Sequence, residues 1–216
     1  MHSRSGPGVL SFAVAMKLKR FPSRRWLPGL CLAAAPLAQA HPAPGPAVGF
    51  GAGVAHPFSG WDHLLALLAI GLWAARLYAP CLIPLAFLTL MAVGAALGHW
   101  TGAVPGAEQA IAASVLVFGL LAANTVRLPA RVSFALVGFF ALFHGAAHGA
   151  EMPATASGLA YGAGFVTASA LLLGAGAGLG ALFEREATRI PQFAGWVIAL
   201  VGAVLSVRSF LGGNFF

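Results

Sequence analysis

The sequence predicts an all-α fold, a polytopic membrane bundle of six transmembrane helices, and three observations predict it. Hydrophobic residues make up 59% of the 216 and charged residues only 8%, whereas soluble domains carry about a quarter charged. The mean hydropathy is +0.87, and apolar runs near the ~20 residues a membrane span requires recur along the chain. Arginines, finally, fall at alternate turns between those runs, the asymmetry that orients membrane helices.

The first 40 residues read as a signal peptide. Arg4, Lys17, Lys19, Arg20, Arg24 and Arg25 form a basic start, an apolar stretch covers 26–37, and Ala38-Gln39-Ala40 is a small-x-small cleavage pattern. The expected mature chain begins at His41. Met16 is a second possible start, which would make residues 1–15 an upstream extension. The net charge of +7 belongs largely to this segment: beyond it six arginines face five acids, a net of +1. That removes the argument for a nucleic-acid partner. Cys31 would leave with the signal, Cys81 would remain alone, and no disulfide framework or thiolate cage is available.

Residues 41–46, His-Pro-Ala-Pro-Gly-Pro, cannot be helical because proline recurs. An apolar run at 47–78 follows, and Pro57 splits it: proline cannot donate to the carbonyl of Gly53, so either a kink or a short re-entrant piece followed by a true span over 57–77 is expected there. The second span is expected over 81–100, ending in His99-Trp100, and the third over 108–126. A basic turn, Arg127 to Arg131, precedes a fourth span at 132–149. The fifth, at 155–183, carries Gly158 and Gly162, Gly174 and Gly178, and Gly176 and Gly180, pairs at the spacing that lets membrane helices approach closely. The sixth is expected over 192–211. The mature residues 41–216 form a single domain, without a convincing internal repeat.

With the mature N-terminus exported, Arg76, Arg127, Arg131, Arg185 and Arg189 all fall on the cytoplasmic side and satisfy the positive-inside rule. The outer turns carry Glu108 and Glu151 and no lysine or arginine; only Arg208, near the end of the sixth span, falls toward the outside. The same topology places every histidine beyond the signal in the outer leaflet, a coincidence that unrelated packing histidines have no reason to produce. The protein is expected in a bacterial inner membrane with its mature N-terminus periplasmic.

Two clusters carry the chemistry. His56-Pro57-Phe58-Ser59-Gly60-Trp61-Asp62-His63 holds the chain's only aspartate, and His144-Gly145-Ala146-Ala147-His148-Gly149-Ala150-Glu151 is the other concentration of donors. On a helix His144, His148 and Glu151 fall within about 60° of one another, while Asp62 lies about 100° from His63 and would ligate from the side or orient an imidazole. His56, Asp62, His63, His144, His148 and Glu151 are therefore the candidate metal ligands, with His41 and His99 as further candidates. A lone intramembrane histidine is more often a packing residue; two doublets with acids at one depth favour metal. Imidazole and carboxylate without thiolate suit nickel, zinc, cobalt or ferrous iron better than cuprous copper.

Lysine occurs only at positions 17 and 19, so a phosphate-binding GxxxxGK loop is absent. No organic cofactor is expected. A divalent cation moving inward gains about 4.6 kcal/mol at 100 mV, from about 2.3 per charge, which supports a facilitator or secondary carrier rather than an enzyme.

These residues resemble a known family. His56-Pro57-x-x-Gly60-x-Asp62-His63, then Gly71-x-Trp73-Ala74, then His144-Gly145-x-x-His148-Gly149-x-Glu151 are similar to the motifs of the HupE/UreJ hydrogenase and urease accessory proteins, regarded as nickel permeases of the bacterial inner membrane. The resemblance implies Ni2+ as the substrate and a link to hydrogenase or urease maturation; the residues alone give a divalent metal, with Co2+, Zn2+ or Fe2+ open. Where the family usually has methionine four residues after the motif histidine, this chain has Leu67. Two alternatives stand beside the permease: a histidine-rich membrane metalloenzyme, and a metal-binding accessory protein that does not transport. Against the enzyme, the mature chain has only six histidines.

Overall fold

A computed structural model describes residues 49–77, 79–152, 158–185 and 189–212. The expected signal peptide and His41 lie outside the described residues. Within them the chain is helical, without strands: α1 (Phe50–Ala55), a 3-10 turn (His56–Phe58), α2 (Trp61–Ala74), α3 (Leu82–Thr101), α4 (Ala107–Ala123), α5 (Ala130–Glu151), α6 (Gly158–Arg185) and α7 (Ile190–Phe210). Leucine and alanine dominate these segments and are strong helix formers. Prolines fall where a helix tolerates them, in the first turns of α3 and α7, whose N–H groups have no intrahelical partner anyway.

Helix α3, α5, α6 as far as Phe183, and α7 are long and apolar enough to cross a membrane. Helices α2 and α4, of 14 and 17 residues, are apolar but shorter. The break near Pro57 accounts for the first of these. The last α-helical bond there runs from the His56 N–H to the Ala52 carbonyl; Pro57 has no N–H to continue the ladder, a 3-10 turn follows, and Gly60 in extended conformation restarts the helix at Trp61.

The bundle is built from close-crossing pairs: α3 lies against α5, α4 against α7, and α6 against both α1 and α2, while α2 joins the α6 pair to α4. Apolar helices gain little from hydrophobicity when the alternative is lipid, so contact distance decides their association. The α3–α5 crossing shows how the sequence sets that distance. A Cβ at Gly94 or Gly98 would run into the carbonyl oxygens of Leu142 and Ala146, and one at Gly145 or Gly149 into those of Met91 and Ala95. In α6, Gly176 and Gly180 meet α2 as their spacing predicts. Gly162, Gly174 and Gly178 face open space, so the other two pairs do not form helix contacts.

Helix α2 is the centre of the bundle. From Ala66 to Ala74 every residue except Leu68 is buried, whereas α3 and α7 turn large apolar side chains such as Leu85, Leu97, Phe193 and Leu200 outward. Leu67, the departure from the family pattern, is a core residue with 2% exposure. Its branched side chain fills the space between helices where a longer, more adaptable methionine is usual.

Candidate functional site

At one end of the bundle, the break at Pro57 and the last two turns of α5 bring four imidazoles together. His148 is the hub. Its ring centroid lies 4.6 Å from that of His56 and 4.3 Å from that of His63, and the His63 ring is 5.5 Å from that of His144. The two halves of the chain reach one place because α5 alternates functions along its length: His144 and His148, four apart, point to α2 and the 3-10 turn before it, while Gly145 and Gly149, one residue on, form the stripe against α3. The HGxxHG spacing thus pairs a ligand face with a packing face.

Hydrogen bonds fix two of the rings. His63 Nδ1 lies 2.6 Å from Asp62 Oδ1, and the His63 backbone N–H donates to the same oxygen at 2.8 Å. His144 Nδ1 donates to the Phe140 carbonyl at 3.0 Å. Carboxylate and carbonyl oxygens accept only, so both histidines carry their proton on Nδ1 and their lone pair on Nε2. Gly60 makes the first arrangement possible: a Cβ there would stand 2.6 Å from Asp62 Oδ1 and 2.9 Å from His63 Nδ1.

The acceptors so prepared have no protein partner. The Nε2 atoms of His63, His144 and His148 are all buried without a hydrogen bond, although leaving a buried polar atom unsatisfied costs on the order of 1–3 kcal/mol. Towards the outside a second group forms. His56 Nε2 lies 2.8 Å from His148 Nδ1 and 3.7 Å from Glu151 Oε2, and one donor atom from each of His56, His148 and Glu151 falls within 4.8 Å of the others. His148 belongs to both groups, one through each ring nitrogen. Burial grades across them: His144 and His148 are 1% and 2% exposed, the His56 side chain 26% and that of Glu151 57%.

The structure therefore brings His56, Asp62, His63, His144, His148 and Glu151 together, with Asp62 holding the His63 ring rather than standing in the His56–His148–Glu151 group. His99 is not part of the cluster. It is exposed at the end of α3, where its backbone nitrogen lies beside Gly149.

Several contributors escaped the sequence reading. Phe165 of α6 lies against His148 at 4.2 Å and Tyr161 against His56 at 5.8 Å between ring centroids, while Phe87 of α3 packs on His144 at 5.5 Å. Glu108, noted only as an outer-turn acid, interacts electrostatically with Asp62, Glu151 and His63 and shares with Glu151 a cavity of about 150 Å³ between α4 and α5. A carboxylate in an apolar helix start was the available signal for it; an aromatic in a membrane helix carries none.

No solved structure matches this chain. A family profile described as HupE / UreJ protein matches residues 29–205. Protein HupE of Rhizobium leguminosarum bv. viciae is 43% identical over 159 residues, covering 72% of this chain and 83% of that protein. With the profile spanning most of the sequence and that level of identity behind it, the chain belongs to the HupE/UreJ family.

Proposed function

We propose that this protein is an inner-membrane permease for a divalent transition metal, Ni2+ by resemblance to its family, with Co2+, Zn2+ and Fe2+ as competing substrates. The observation that carries this reading is the set of three buried Nε2 atoms without hydrogen-bond partners, two of them with tautomers fixed so that the lone pair is free. Neutral imidazole with a supporting carboxylate is the common ligand arrangement for such ions.

The path follows the burial gradient. A hydrated ion enters beside Glu108 and Glu151, exchanges water for His56, His148 and Glu151, and passes to the deeper nitrogens of His63, His144 and His148. The membrane potential drives it inward, and its metal is cargo for hydrogenase or urease maturation. In this reading all six apolar segments cross the bilayer, α2 doing so together with α1 and the turn at Pro57; α4, at 17 residues, sits at the short end of the span range. The histidine end is periplasmic, Arg76, Arg127, Arg131, Arg185 and Arg189 are cytoplasmic, and residues 1–40 are removed.

One observation favours a second reading, a metal-binding accessory protein without transport. Trp73, Phe87 and Phe118 fill the bundle below His144 and are fully buried, as they would be in a static binding protein. Radioactive nickel uptake into proteoliposomes under an inside-negative potential separates the two. A permease gives saturable uptake that His63→Ala and His148→Ala abolish; an accessory protein binds nickel without flux.

A further inference from the structure

Between the histidines and the opposite end of the bundle runs an unbroken chain of contacts. Phe140, whose carbonyl accepts the His144 hydrogen bond, packs edge-on against Phe118 at 5.5 Å, and Phe118 packs against Trp73 at 5.8 Å. Trp73, fully buried on α2, donates its indole N–H to the Val126 carbonyl at 2.8 Å. Three residues further on, buried Arg76 donates to the Ala122 carbonyl at 2.9 Å. One acceptor, Ala122, lies in the last turn of α4 and the other, Val126, in the connection just after it.

We propose that these two hydrogen bonds form a latch closing the cytoplasmic end of the ion path, an inference that rests on the permease reading above. With Arg76 held to the last turn of α4 and Trp73 to the connection after it, the Phe118 and Phe140 rings are clamped beneath His144 and an ion on the histidines cannot go further. Release of the inner end of α2 from α4 withdraws Trp73 from Phe118, opens the plug, and turns the Arg76 guanidinium away from the exit it otherwise guards with positive charge. The latched state is the resting one, and opening precedes each passage.

The test compares Ni2+ flux into proteoliposomes under a fixed inside-negative potential for the wild type, Trp73→Phe and Arg76→Met. Each variant keeps the bulk of its side chain and loses its donor. Weakening the closed state by the loss of either donor is expected to raise the open population, and with it the flux at saturating Ni2+, by roughly two- to tenfold or more. Unchanged or reduced flux in both variants, at equal amounts of folded protein, overturns the latch. Absence of flux in the wild type would instead count against the permease reading, so the two failures are distinct. If both variants fail to fold, Ala122→Cys decides, with Cys81 replaced by serine. A membrane-impermeant thiol reagent applied from the cytoplasmic face should label it faster when Ni2+ and the potential are present; equally slow labelling under all conditions overturns the proposal.

Discussion

His56 and His148 stand 92 positions apart in the chain, yet Nε2 of one lies 2.8 Å from Nδ1 of the other. This contact joins the helix break at Pro57 to the end of α5 and places His148 in both donor groups. Its loss is therefore expected to be the most damaging of the histidine substitutions. His148→Ala should abolish high-affinity Ni2+ binding to the purified protein, whereas His56→Ala, which removes a donor from the outer group alone, should weaken it while leaving measurable binding. Equilibrium dialysis with radioactive nickel checks the order.

Asp62 acts through His63. Asp62→Asn keeps the size of the side chain and removes the charge that fixes the Nδ1–H tautomer, and outer partners of this kind typically account for roughly 10–100-fold in metal affinity. A rise of that order in the half-saturating Ni2+ concentration, with the folded state retained, is the expected outcome. An unchanged value would mean that the 2.6 Å contact does not orient a ligand.

The glycine face of α5 gives a prediction about stability. Gly145→Leu forces a side chain into the space occupied by the Met91 carbonyl, and overpacking of this kind costs about 1–3 kcal/mol or more. The variant should unfold at lower temperature in detergent and lose metal binding with it. Gly174→Leu, at a position with nothing within 4 Å, should do neither.

Much of this was legible in the sequence, and the exceptions have physical reasons. Pro57 announced the helix break because a missing N–H acts locally, and the spacing of His144 and His148 set a shared face because helix geometry does. Which glycine pairs touch a neighbour was not legible: a spacing of four defines a stripe, not the direction it faces, and Gly176–Gly180 and Gly174–Gly178 look alike until α2 is in place. The central position of α2 was hidden for a related reason. A helix buried among other helices and one facing lipid are equally apolar. Glu108 was visible as a charge, but its nearness to Asp62 depends on how α4 packs beside α2 and α5.

Glu108 should act on capture. Glu108→Gln is expected to lower uptake at sub-saturating Ni2+ on the order of two- to tenfold while sparing the maximal rate, because a carboxylate at the entrance raises the local concentration of cations. The deficit should shrink as salt is raised, since screening shortens the reach of the charge. A fall in maximal rate at unchanged half-saturation would place Glu108 on the transfer step instead.

The central claim, that imidazoles from α5 and from the segment around Pro57 surround one metal ion, is tested most directly by X-ray absorption at the nickel edge on the purified, Ni2+-loaded protein. The account predicts outer-shell scattering from several imidazole rings, diminished in His63→Ala and His148→Ala. A spectrum of oxygen ligands alone, identical in wild type and both variants, would contradict it.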